Sequence, residues 1–200
     1  MSSGPSVVER AADFAPAAQL LAAWWSPPTA DEIARWETCW DGAGEVADSL
    51  GPARSVVEDL RAALEAARPE ALREEYERLL IGPGRVPCAP YESLWRTDQP
   101  RREQGRLMAS CAADAVRVYR DLGLKVRADA HEMPDHIVVE WEALAYALEH
   151  DAPDAAAALA REHLAGWMPA FCAAVGAETE QPFYAVLARL TPAWTAVLAA

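Results

Sequence analysis

Lysine is nearly absent from this 200-residue chain: of 18 basic residues only Lys125 is a lysine, and 31 Asp and Glu leave a formal net charge of -13. Phosphate backbones and anionic headgroups are repelled by such a surface, which argues against nucleic acid and membrane surfaces and favours a cationic partner. Much of that acid also serves simply to solvate helix faces. Long apolar runs are missing too. No stretch reaches the roughly 18 residues that a membrane span needs, and MSSGPSVVERAADF has no basic segment followed by an apolar one. The expectation is a cytoplasmic chain with no direct membrane insertion. Cysteine is sparse: positions 39, 88, 111 and 172 form no C-x-x-C pair, so neither a structural zinc site nor a redox motif is written there. Strand-type alternation is lacking as well.

What is present is helical periodicity. Ala11, Phe14, Ala18, Leu21 and Trp25 recur on one face until Pro27-Pro28 stop it, and Thr29-Ala30-Asp31-Glu32 opens a second helix as a capping box. Ile33, Trp36 and Trp40 continue that face, with Asp41-Gly42-Ala43-Gly44 expected to break it. Pro52 and Pro69 suit further helix starts. Leu72, Tyr76, Leu79 and Leu80 form the next stripe, with Glu74, Glu75, Glu77 and Arg78 expected as its solvated face. Gln104 to Leu122 reads as a helix stopped by Gly123, and Pro153, Pro182 and Thr191-Pro192 mark later starts. Pro169 should end or kink the helix that carries Leu159, His163 and Leu164. About ten helices without a linker or a repeat make the fold class all-α, a single-domain bundle over residues 1–200 with only the first few outside it.

Two stretches stand apart. Residues 81–100 hold four prolines, the last of them Pro100, and two glycines, together with Tyr91 and Trp95, which excludes a long regular element. A loop near twenty residues within one domain is uncommon enough to suggest a task. The second stretch, Glu132-Met133-Pro134-Asp135-His136, leads into the stripe Ile137, Trp141, Leu144 and Leu148, with Pro134 expected in the first helical turn. Glu132 and Asp135 would then lie at the positive end of the helix, and His136 and Glu140 would share a face.

Most catalytic readings fail on spacing. The zincin pattern needs histidines four apart on one face, whereas His131 and His136 are five apart with Pro134 between them. A metal set of His136, Glu140 and a distant His163 lacks repeated Glu-x-x-His pairs, and no G-x-S-x-G or phosphate-loop signature is present. Neither a metal nor a cofactor is expected. An acid-base enzyme using His136 with Glu140 stays open as a lesser reading.

Glu-x-Pro-Asp-His-Ile-x-x-Glu at 132–140, Tyr-x-x-Leu-Leu-Ile-Gly-Pro-Gly at 76–84 and Pro-Tyr-Glu-Ser-Leu-Trp at 90–95 resemble the TorD/DmsD/NarJ family of helical chaperones for molybdenum-containing oxidoreductases. The resemblance spans roughly residues 70–195. It implies a protein that is not an enzyme and that binds the twin-arginine leader of a molybdopterin oxidoreductase catalytic subunit, holding it until the cofactor is inserted. By the same resemblance Glu132, Asp135 and His136 fall on the acidic recognition motif, with Glu140 closing it. Gly82, Pro83, Pro90, Tyr91, Ser93 and Trp95 fall on the peptide-binding loop. An assembly factor for a leaderless catalytic subunit is the alternative, and either a monomer or a domain-swapped dimer fits. A leader of two guanidinium groups and an apolar helix does need carboxylates beside aromatics, and both are here.

Overall fold

In the computed structural model, which describes residues 11–51, 54–125 and 133–200, helix starts fall where side chains or prolines can make them. Helix α1 spans Ala11–Trp24; α2, Ala30–Trp36, is capped by Thr29, whose hydroxyl oxygen accepts the Glu32 N–H at 3.2 Å. Helix α3 spans Trp40–Leu50 and α4 Arg54–Ala66. Pro69 opens α5 (Pro69–Tyr76), which widens into a π-turn over Glu77–Ile81. After the short α6 (Glu92–Trp95) come α7 (Ser110–Asp121) and α8 (Ile137–Glu149). Pro153 opens α9 (Pro153–Ala157), continuous through a second π-turn, Ala158–Leu164, with α10 (Ala165–Glu178); α11 (Pro182–Leu198) ends the chain. These are ten continuous helical stretches, and the described residues contain no strand beyond an isolated bridge between Tyr91 and His136.

One apolar cluster runs from Phe14 to Leu198. Its centre is α8, which packs along α1 and buries eight of its thirteen residues, including Ile137, Trp141, Leu144 and Leu148. Tryptophans at helical spacing pack as expected: Trp24 stacks on Trp40 at 5.7 Å between ring centroids, and Trp36 lies flat on Phe183 at 5.3 Å. Buried hydroxyls tie distant elements together. Tyr76 donates to the Trp25 carbonyl and Tyr184 to that of Leu72, each at 3.1 Å, and the Trp25 indole donates to Thr191 at 3.0 Å. No helix among the described residues is long and apolar enough to cross a membrane.

Several expected breaks are absent. Gly42 and Gly44 lie inside α3, where Gly44 is buried with the Arg54 guanidinium 3.4 Å from the place of a Cβ. Packing there outweighs the local helix cost of glycine. Pro169 lies within α10, downstream of the wide turn 158–164, and Pro192 lies within α11. Around Pro192, hydroxyl donors reach the ladder carbonyls: Thr191 bonds the Leu187 oxygen at 2.8 Å and Thr195 the Thr191 oxygen at 2.7 Å. Helix α7 starts at Ser110, because the chain turns through 101–108 with Met108 at φ 58 and leaves Leu107 exposed. Glu75 is buried rather than solvated. It accepts from Arg78 at 2.7 and 2.9 Å, from Thr179 at 2.9 Å and from the Glu180 N–H at 2.6 Å, joining α5 to the α10–α11 connection.

Candidate functional site: the loop seam on α8

The loop after α5 is fastened at both ends. Gly82, at φ +101, closes the π-turn with its N–H on the Glu77 carbonyl, and the Cys88 N–H returns to the Leu79 carbonyl at 2.9 Å. A Cβ at Gly82 would be strained by that backbone and would lie 3.4 Å from both Gly84 and Val86. Pro83 is exposed beside it. At the far end the loop is stitched to the start of α8. The Ile137 N–H donates to the Pro90 carbonyl and the Glu92 N–H to the Asp135 carbonyl, both at 2.9 Å, on either side of the Tyr91–His136 bridge. An N–H that would be orphaned at the start of α8 is thereby satisfied by the loop.

Asp135 and His136 each make a structural contact at this seam. Pro134 and Asp135 precede the helix, and His136 is its N-cap, the ring Nδ1 accepting the Val138 N–H at 3.3 Å. With Nδ1 an acceptor the ring is neutral, and burial holds its pKa down at about 4. The His136 ring also meets Tyr91 edge-on at 5.2 Å. Asp135 is 0 % exposed, and one carboxylate oxygen accepts the Ser93 N–H at 3.1 Å, so it caps α6 from across the seam rather than α8. Its other oxygen has no hydrogen-bond partner among the described residues. Glu132 lies outside the described residues. Trp95 is half-buried, donating its indole N–H to the Ala89 carbonyl at 2.8 Å and packing edge-on against Phe171 of α10.

Glu140 points inward, one turn into α8, and meets residues that spacing did not single out. Glu92 of α6 is 0 % exposed; its carboxylate accepts from Arg96 at 2.8 Å and is 2.8 Å from the His163 Nδ1 in the second π-turn. Burial alone would raise the Glu92 pKa, but the hydrogen bond and charge of His163, with Arg96, hold it below the ordinary value. Glu140, also 0 % exposed, has the opposite balance. Burial and the neighbouring Glu92 charge push it well above the carboxylate range, against the Trp167 indole that donates to it at 3.0 Å. Both causes favour the protonated acid at Glu140, beside the ionised form that His163 and Arg96 favour at Glu92.

Arg96 crosses this cluster. It also bonds Asp98 and the Glu162 carbonyl, and it lies over Gly166, where a Cβ would come within 3.2 Å of the guanidinium. Ligand atoms of Glu92, Glu140 and His163 lie within 4.8 Å of one another, making them the set able to hold a metal ion among the described residues. The Arg96 guanidinium already supplies a cation to Glu92 there. The structure thus unites Pro90, Tyr91, Ser93, Asp135 and His136 in one seam, with Glu140 one layer beneath. Gly82 and Pro83 belong to the other end of the loop. Glu92 and Arg96 were legible only as a Glu-to-Arg pair four apart, the favourable order on a helix.

An all-helical bundle with a proline-rich loop sewn onto its central helix narrows the class, and comparison with known proteins names it. Residues 48–173 match the family described as nitrate reductase delta subunit. The chain belongs to that family, which includes the TorD chaperones and is one of redox-enzyme maturation proteins rather than catalysts. It is 26% identical over 149 residues to the chaperone protein TorD of Shewanella loihica, covering 74% of this chain and 71% of that one. A second TorD, from Shewanella piezotolerans, is 27% identical over 109 residues, covering 54% and 51% respectively. In structure it is similar to a protein of Archaeoglobus fulgidus described as a redox enzyme maturation protein. The TM-score is 0.59 at 26% identity, over 89% of this chain and 91% of the other.

Proposed function

We propose that this chaperone acts in the cytoplasm, binds the N-terminal twin-arginine leader of a molybdopterin oxidoreductase catalytic subunit, and assists cofactor insertion before export or membrane assembly. The observation that carries the reading is the seam itself. A stiff loop with half-exposed Tyr91 and Trp95 closes over Asp135, whose second oxygen keeps the capacity for a charge-assisted hydrogen bond. Tyr91 and Trp95 form the accessible lip in this reading, and Gly82 and Pro83, at the loop's other end, set its course. Pro90, Ser93, His136 and Glu140 hold its shape, and Asp135, with Glu132, meets guanidinium when the seam opens.

Calorimetry with a synthetic peptide of two adjacent arginines followed by an apolar helical segment tests this. Tyr91→Ala should weaken binding by about tenfold while the helical circular dichroism is unchanged, as for loss of a contact aromatic worth roughly 1.5 kcal/mol. Equal affinity of wild type and variant would remove the loop from the site. The match to the nitrate reductase delta subunit family favours a second reading, capture of a catalytic subunit without a twin-arginine signal. In that case a peptide with both arginines replaced by glutamine binds as tightly as the original.

A further inference from the structure

Two buried carboxyls side by side need a proton or a cation between them. At the Glu92–Glu140 pair one oxygen of each is already held by a neighbouring donor: Arg96 donates to Glu92 Oε1 at 2.8 Å, and the Trp167 indole to Glu140 Oε2 at 3.0 Å. The second oxygens remain. Glu92 Oε2 is 2.8 Å from the His163 Nδ1, whereas Glu140 Oε1, on a side chain that is fully buried, has no hydrogen-bond partner among the described residues. His163 enters from the π-turn Ala158–Leu164, and such widened turns recur at functional sites. Spacing alone offered His136 as the companion of Glu140 and His163, but the His136 Nδ1 is committed to the Val138 N–H, and Glu92 stands there instead. A cavity of about 300 Å³, lined by Arg96, Gln99, Cys111 and His163, leads outward from the cluster past the exposed Arg117 and Asp121.

We propose that Glu92, Glu140 and His163 form a zinc site, one imidazole nitrogen and two carboxylate oxygens around a single divalent ion that ties α6 and α8 to the π-turn before α10. Their ligand atoms all lie within 4.8 Å of one another. Tetrahedral ligands at about 2.0–2.1 Å from zinc stand about 3.3 Å apart, so a small inward movement of the side chains completes the set and leaves the fourth position for water from the cavity. The ion takes the place of the proton that otherwise separates the two carboxyls, because its own charge then stabilises both as carboxylates. Arg96 and Trp167 become the outer partners that fix the orientation of the two ligating groups. The guanidinium does not compete for the ion's position, since it lies on the opposite oxygen of Glu92 and shares its charge with Asp98. The site neither needs the leader-binding reading nor follows from it.

The full-length protein, stripped with a chelator and titrated with zinc chloride, tests this by calorimetry and by elemental analysis after gel filtration. One zinc per chain should be retained, and the midpoint of thermal unfolding should rise with free zinc, as for any ligand of the folded state alone. Cobalt(II) in place of zinc should show the visible d–d bands of a four-coordinate ion. Glu140→Gln removes one ligand while keeping a neutral side chain of the same shape. With circular dichroism unchanged, it should weaken zinc binding by more than about a hundredfold, beyond the loss that removal of an outer partner brings, and should abolish the thermal shift. His150→Ala, at an exposed histidine outside the cluster, should bind zinc as the wild type does. Failure of the wild type to retain stoichiometric zinc overturns the proposal. Equal affinity of wild type and Glu140→Gln overturns it as well, and loss of that affinity in His150→Ala would place the ion on the surface.

Discussion

His136 acts as an acceptor in the folded chain and titrates accordingly. Its pKa falls from 6.5 to about 4 on burial, so the unfolded state binds the extra proton first as pH drops. The stability this group contributes is complete above about pH 6.5 and is lost as pH falls through about 4, a span worth about 3 kcal/mol. His136→Asn keeps an N-cap acceptor without a titrating ring. Its unfolding free energy should change less between pH 7 and 4 than that of wild type, and parallel curves would show that His136 is not the group responsible. Asp135 permits a different separation. Asp135→Ala leaves the Ser93 N–H of α6 without its acceptor and should cost about 2 kcal/mol in urea unfolding. Asp135→Asn retains an acceptor but deletes the charge. Stability should then move by under about 1 kcal/mol while leader affinity falls about tenfold. If the Asn variant binds the leader normally, Asp135 serves only as a cap.

Between elements, the Glu92–Glu140 pair joins α6, α8, the π-turn 158–164 and α10 through His163, Arg96 and Trp167. The two carboxyls should respond oppositely to amide substitution. Burial and the Glu92 charge favour the protonated acid at Glu140, so Glu140→Gln, a neutral amide that also donates, should change stability by less than about 1 kcal/mol. Glu92→Gln strips Arg96 of a buried counter-charge and His163 of its carboxylate partner, and should cost about 3 kcal/mol or more. Equal costs in urea unfolding would contradict protonation of Glu140 alone. This arrangement also shows where a sequence stops being informative. Starts at Thr29, Pro69, Pro153 and Pro182 were legible because capping and proline chemistry is local, and the stripe Ile137 to Leu148 was legible because it repeats. The Glu92–His163 contact joins positions 71 residues apart, so no window of spacing contains it. Glu75, Asp135 and Glu140 carry charge-type side chains into the interior for the same reason, each answered by a partner from another element. Gly42, Gly44 and Pro169 read as breaks and Thr191-Pro192 as a new start because their local cost is real, and the packing of Arg54 over Gly44 lies outside any local pattern.

At the scale of the whole molecule, the apolar cluster does not divide. Helix α1 lies against α8, α11 packs on both α4 and α10, and the polar ties run from Trp25 to Thr191, from Tyr76 to Trp25 and from Tyr184 to Leu72. The N-terminal helices thus share their core with the final helix, and neither half buries its tryptophans alone: Trp36 needs Phe183, and Trp24 lies 6.0 Å from Trp194. Such a core should unfold all at once. Tryptophan fluorescence, near-ultraviolet dichroism and far-ultraviolet helix signal should trace one urea transition with a common midpoint. Trp36→Phe should lower that midpoint for every probe together, because the residue it packs against belongs to α11 and not to its own neighbourhood. A fluorescence midpoint well below the helical one, or a variant that shifts only one of them, would mean that residues 11–50 form a separable unit.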